Sequence, residues 1–177
     1  MAKHKLKEPF TKEKLKDLRA GDTVLLTGTI YAARDAAHKK LLEMIEGGDK
    51  LPLEIENQIV YYAGPTPARP GNPIGSVGPT TSYRMDAFTP ALLARGLTGM
   101  IGKGPRNDEV KQCAAEAGAV YFAAIGGAGA LIAKSIKSSE VVAFAEMGTE
   151  AIRRLYVEDL PLIVAYDAEG GDVFARG

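Results

Sequence analysis

Ala117-Gly-Ala-Val-Tyr-Phe-Ala-Ala-Ile-Gly-Gly-Ala-Gly-Ala-Leu-Ile-Ala133 is a run of 17 residues, each apolar or glycine, closed off by Glu116 and Lys134. Two readings compete for it. Crossing a bilayer takes about 20 such residues, and this run carries Gly126-Gly-Ala-Gly129 in its middle. A buried strand from Ala119 to Ile125, a glycine turn and the start of an apolar helix account for it better. A strand buried on both faces belongs in a sheet covered by helices, and the rest of the chain is read outward from that expectation.

Upstream, Asn107 to Ala117 predicts a helix, Gly99-Met-Ile101 a short strand and Thr89 to Arg95 another helix. Ile59-Val-Tyr-Tyr-Ala63 reads as a strand. Asp35 to Ile45 carries Ala36, Ala37, Leu41, Leu42 and Ile45 at helical spacing and stops at Gly47-Gly48. Before it, Thr23-Val-Leu-Leu-Thr-Gly-Thr-Ile-Tyr31 is a β-branched, apolar run that predicts a buried strand. Residues 1–20 form a charged lead-in, with Leu15 and Leu18 on one short helix. Downstream, a helix is expected from about Ala130 to Ile136, a further one at Glu150 to Tyr156, and strands at Leu160 to Tyr166 and Val173-Phe174. The alternation predicts a mixed, layered α/β fold around a central sheet that is not purely parallel.

Composition narrows the function classes. The chain has 177 residues, 46% of them apolar and 25% charged, which fits one domain spanning 1–177. Lysine plus arginine equals aspartate plus glutamate at 22 each, so no global basic field exists to hold nucleic acid or an anionic membrane. The start, Met1 to Pro9, is basic without an apolar core behind it and is not a secretory signal. A cytoplasmic protein is the expectation. The one cysteine, Cys113, cannot form an intrachain disulfide, and it reads as helix packing rather than a nucleophile.

The least ordinary segment runs from Gly64 to Pro79, where nine of sixteen residues are Gly or Pro. Neither helix nor ladder tolerates that density. A flexible linker is one reading. The other is a binding loop, because the segment ends in Thr80-Thr-Ser-Tyr-Arg-Met-Asp86, dense in functional groups. Three cations sit at element junctions: Arg34 after the first long strand, Arg84 after the loop, and Lys103 between Gly102 and Gly104. They are either solvated surface residues or, together with the hydroxyls of Thr80, Thr81 and Ser82, a site for a small polyanion at the strand ends.

Metal ligation finds no support: His4 and His38 are the two histidines, and neither sits in a cluster with ligand spacing. His38 follows Asp35 by three residues, which predicts a helix-surface pair. Gly127-x-Gly129 before a helix suggests a dinucleotide loop, but Ile132 stands where the third glycine belongs. Close helix–strand packing explains those glycines equally well.

Gly78-Pro-Thr-Thr-Ser-Tyr-Arg-Met-Asp86 resembles the C-terminal, or β-subunit, portion of the class I iron–sulfur hydro-lyases, fumarate hydratase and L(+)-tartrate dehydratase. Leu26 to His38, Tyr62 to Thr66, Ile101 to Gly104 and Gly126 to Ala128 support the resemblance in the same order, over about residues 6 to 174. The resemblance implies a swivelling β/β/α domain packed against an α subunit, as a heterodimer or α2β2 assembly. That α subunit would carry a [4Fe–4S] cluster on three cysteines, its open iron acting as a Lewis acid for the departing hydroxyl. It implies reversible hydration of fumarate to L-malate, with dehydration of tartrate as the alternative. By motif, Arg34, Arg84 and Lys103 would grip substrate carboxylates, with Thr81 beside them. Thr80 would be the catalytic hydroxyl, supported by an aspartate of the α subunit. A non-catalytic ligand-binding α/β module is the reading from another class.

Overall fold

The computed structural model describes residues 2–64, 70–71, 78–124 and 129–176. Most of the Gly64–Pro79 segment and the Gly126–Ala128 turn lie outside the described residues. Seven strands, β1 (Lys3–Lys7), β2 (Thr23–Ala32), β3 (Ile59–Tyr61), β4 (Gly99–Gly102), β5 (Val120–Ala124), β6 (Ile136–Ala143) and β7 (Ile152–Tyr166), form one sheet in the order β1-β2-β3-β4-β5-β7-β6. A further pairing of β2 with β7 closes β2-β3-β4-β5-β7 into a ring. Neighbours from β2 to β5 run parallel, whereas β7 is antiparallel to both β2 and β5. Mixed α/β architecture is therefore as expected, but the sheet is rolled rather than open.

Alternation along the strands sorts the core into two layers. Ile59 and Tyr61 of β3 join Leu26, Ile30, Ile101, Phe122, Val157, Leu162 and Val164 in a cluster drawn from all five ring strands. Val60 and Tyr62 turn the other way. They pack with Leu41, Leu92 and Ala114, which lie on α2 (Asp35–Glu46), α3 (Thr89–Ala94) and α4 (Asp108–Ala117). Both faces of β3 are thus buried, which is why its sequence is apolar without interruption. α4 begins at Asn107, whose side chain accepts from the Val110 N–H at 2.8 Å, with Asp108 and Glu109 in its positive first turn. The short α1 (Lys12–Leu15) buries Leu15 but ends before Leu18, which is buried in the segment that follows rather than on the same helix, and α5 (Gly129–Lys134) precedes β6.

Several expectations fail. Glu150 to Tyr156 is not a helix: from Ile152 the chain is already in the 15-residue β7. Its first half is hydrogen-bonded to β2 on one edge and β6 on the other, and that pairing overrides a locally ambiguous pattern. Val173-Phe174 is a 3₁₀ turn, Val173–Arg176, started by Asp172 Oδ1 accepting from the Phe174 N–H at 2.8 Å. β1 and β6 have no counterpart in the sequence reading. Among the described residues, no helix is long and apolar enough to cross a membrane.

Candidate functional site

β2, β3 and β4 are adjacent and parallel, so their carboxyl ends open on the same rim of the ring. Loops leaving such a rim are where α/β sheets place ligands. The rim is stitched by backbone bonds: Ala33 N–H to Tyr61 O at 2.9 Å, Tyr62 N–H to Ile101 O at 2.9 Å, Thr80 N–H to Tyr62 O at 2.7 Å and Ser82 N–H to Lys103 O at 2.9 Å. Arg34 leaves β2 and Lys103 leaves β4, with the end of β3 between them, so their backbones lie roughly 10 Å apart at two strand spacings. Thr80 sits over the end of β3. Thr81 pairs with Lys103 in an isolated parallel bridge. Arg84 lies on the 3₁₀ turn Ser82–Met85. All five expected residues therefore meet at one rim.

Arg34 and Arg84 are joined by a residue the sequence reading left as a helix start. Asp35 Oδ2 accepts from Arg84 Nε at 2.9 Å, and Asp35 Oδ1 is 3.9 Å from Arg34 Nε. The second distance is too long for a hydrogen bond. Among the described residues, both Arg34 Nε and Asp35 Oδ1 are buried without a hydrogen-bond partner. The Arg34 stem lies along Gly64, where a Cβ would come within 2.8 Å of Arg34 Cδ and 3.0 Å of the Thr149 carbonyl. Gly64 is small so that the arginine can lie there.

His38 corrects the surface-pair expectation. It turns inwards, 1% exposed, with its ring edge-on to Tyr62 at 5.4 Å. Burial pushes the imidazole down to about 4, against a weaker upward pull from the Arg34 carbonyl. The neutral ring places Nδ1 2.8 Å from that carbonyl, and since a carbonyl only accepts, Nδ1 carries the proton. His38 thus holds the backbone of Arg34.

Beneath the rim lies a buried network with no sequence counterpart. Arg106 donates from Nε to Asp86 Oδ1 at 2.5 Å and from Nη2 to Thr89 Oγ1 at 2.8 Å. Its guanidinium is 5.0 Å from the ring centres of both Tyr62 and Tyr121. Burial opposes the charge, but Tyr62, Asp86 and Tyr121 more than offset it, and the guanidinium is held above its ordinary range. Arginine and aspartate are usually exposed, and the type of residue alone could not have marked this pair. Cys113 lies half-buried in α4 against the helix-covered cluster. Among the described residues, no group of three His, Cys, Asp or Glu side chains could hold a metal ion.

The model of the family described as Fumarase C-terminus matches residues 1–177. The chain belongs to that family. It is 44% identical over 153 residues to "Fumarate hydratase class I, anaerobic" of Escherichia coli (strain K12), covering 85% of this chain and 28% of the relative. It is 37% identical over 175 residues to "Fumarate hydratase 2" of Leishmania major, covering 97% of this chain and 31% of the relative. "Putative L(+)-tartrate dehydratase subunit beta" of Methanocaldococcus jannaschii is 39% identical over 171 residues, covering 93% of this chain and 88% of that protein. The chain thus spans about 30% of the length of the fumarate hydratases and nearly all of a separate β subunit. Family membership accords with the motif resemblance read at Gly78–Asp86.

Proposed function

We propose that this chain is a single-domain β subunit of a two-part hydro-lyase that hydrates fumarate to L-malate in the cytoplasm, its domain of the swivelling β/β/α kind. The observation that carries the proposal is the meeting of two arginines, a lysine and two threonines at one rim, in a family whose members are named for hydration and dehydration of small diacids. Arg34 and Arg84 share a carboxylate already, that of Asp35. Among the described residues Arg34 Nε has no hydrogen-bond partner, which leaves a donor for a carboxylate of the substrate. Lys103 leaves β4 on the other side of the end of β3, where its ammonium would take the second carboxylate.

In this reading the cations stabilise the charge that accumulates on a carboxylate as the proton alpha to it is removed. Thr80 is hung from the Tyr62 carbonyl by its own N–H, past the end of β3, and its hydroxyl would act there as the catalytic group. A threonine hydroxyl is a weak base alone, so a carboxylate from the partner must accept the proton in turn. The residues present do not fit an iron–sulfur cluster: the one cysteine lies half-buried within α4, and three thiolates are required. The cluster implied by the resemblance is therefore assigned to an α subunit, joined as a heterodimer or α2β2. Dehydration of L(+)-tartrate is the second reading, favoured by the 88% coverage of the Methanocaldococcus jannaschii protein.

The test is to assay the chain alone and with its α subunit under anaerobic conditions, with fumarate and tartrate, alongside Thr80→Ala. Activity is expected only in the assembly, with Thr80→Ala lowering turnover far more than affinity. Activity of the chain alone, or wild-type turnover in the variant, overturns the reading.

A further inference from the structure

We propose that Ser82 and Tyr121 are positioning residues that fix Lys103 through its backbone, a role that rests on the reading of Lys103 as a carboxylate-binding cation. Lys103 is exposed, and among the described residues its ammonium makes no ion pair. Among the described residues its side chain has no partner to orient it, and what holds it in place there is its main chain.

Four contacts do so. Ser82 N–H donates to Lys103 O at 2.9 Å, and Lys103 N–H donates to Ser82 Oγ at 3.0 Å. Tyr121 Oη lies 2.6 Å from Ser82 Oγ and 2.7 Å from the Gly104 carbonyl. Proton counting orders them. The Gly104 carbonyl can only accept, so it takes the single phenol proton of Tyr121. Ser82 Oγ must then give its own proton to Tyr121 Oη while accepting from Lys103. The result is a directed chain, Lys103 N–H to Ser82 to Tyr121 to Gly104 C=O, that clamps the loop on both sides of the lysine. Every hydroxyl in it donates once and accepts at least once.

The clamp is built and not incidental. Ser82 and Tyr121 are both 0% exposed, so an unmade bond there has no water to replace it. A Cβ on Gly102 would stand 1.9 Å from Ser82 Oγ and 2.8 Å from Tyr62 Cδ2, which only glycine avoids. Tyr121 is in turn held by pairing of β5 with β4, by the Tyr166 ring at 5.3 Å and by the Arg106 guanidinium at 5.0 Å. Burial keeps its phenol protonated well above the ordinary range, so the chain does not open by titration near neutrality. The glycine before Lys103 and the serine after Thr80-Thr81 are two halves of one device.

The test is a double-mutant cycle in the assembled enzyme, with Tyr121→Phe and Lys103→Ala singly and together, and Ser82→Ala as a second route into the clamp. Tyr121→Phe is expected to raise KM about tenfold with a smaller change in kcat, and to have less than about a twofold effect once Lys103 is alanine. Amide exchange at Ser82 and Lys103 should quicken in Tyr121→Phe while β2 and β7 keep their protection. Equal effects of Tyr121→Phe with and without the lysine, or unchanged exchange at both amides, overturn the clamp. If Lys103→Ala alone leaves KM unaltered, the carboxylate-binding reading of Lys103 falls and takes the clamp with it. If Lys103→Ala raises KM but the hydroxyl variants act independently of it, only the clamp falls.

Discussion

Replacing Asp86 by alanine should be among the most damaging single changes in the chain. Its carboxylate accepts from Arg106 Nε at 2.5 Å and from the Asn107 N–H at 2.9 Å, and the Arg106 side chain is 0% exposed. Asp86→Ala would leave a guanidinium buried without its counter-charge and the N-cap residue of α4 with an unpaired N–H. Breaking a buried pair from one side costs about 3–5 kcal/mol, to be set against a total of roughly 5–15 kcal/mol for a domain. At about 2–4 °C per kcal/mol for this size, the midpoint should fall by roughly 10 °C. Urea unfolding followed by circular dichroism measures the free-energy loss, provided the slope is unchanged, and a thermal melt measures the midpoint. Arg106→Met combined with Asp86→Leu should recover much of the loss, because removing both charges removes the desolvation cost with them. An Asp86→Ala protein within about 1 kcal/mol of wild type, the size of one ordinary hydrogen bond, would refute the reasoning.

Two further outcomes follow from the rim. His38 is depressed to about 4 in the folded chain, so the unfolded chain binds a proton that the native one refuses as pH falls from 6.5. Stability present above pH 6.5 should be lost progressively down to about pH 4, by about 3 kcal/mol at most, and His38→Gln should flatten a urea-midpoint profile across that window. Asp22 and Asp167 behave differently. Burial pushes both up, but His4 and the Arg19 and Ala2 amides outweigh it for Asp22, and the Ala20, Gly171 and Glu169 amides for Asp167. Both carboxyls are held below the ordinary value of 3.8, and their contribution is lost only at more acid pH. Arg34→Ala and Arg84→Ala should each raise the KM for a dicarboxylate in the assembled enzyme by about tenfold, the scale of one charge-assisted hydrogen bond. Unchanged constants in both would return them to the solvated surface.

How much of this was legible in the residues depended on where each element gets its stability. β2, α2 and α4 were readable because their signals are local: a β-branched apolar run, a 3.6-residue periodicity, and an Asn cap followed by two acids. β1 and β6 were not. Lys3-His-Lys-Leu-Lys7 and the largely exposed Ile136–Ala143 take their strand form from pairing with β2 and β7, far away in the chain. Arg34 and Lys103 could be picked out because an ionisable residue just past a strand end is conspicuous in one dimension. Asp35 and Tyr121 were not assigned roles at the site, and Ser82 was read only as one of several loop hydroxyls, since each acquires its meaning from a neighbour brought in by folding: Arg84 for Asp35, Tyr121 for Ser82. Tyr121 in particular was hidden inside the apolar run Ala117–Ala133, where it counted only as bulk.

The fifteen residues of β7 lie between two strands separated by about a hundred positions, β2 on one edge and β5 on the other. Until that late segment has been synthesised and has docked, both neighbours present raw edges of the kind that recruit other chains. Partners so distant in sequence also make for slow assembly. A ribosome-bound fragment ending before Ile152 could therefore contain Arg34, Thr80, Arg84 and Lys103 and still lack the closed hoop that holds them to a common mouth. Competence to bind should arrive abruptly, with the final staves, and holdase chaperones would be needed most just before it.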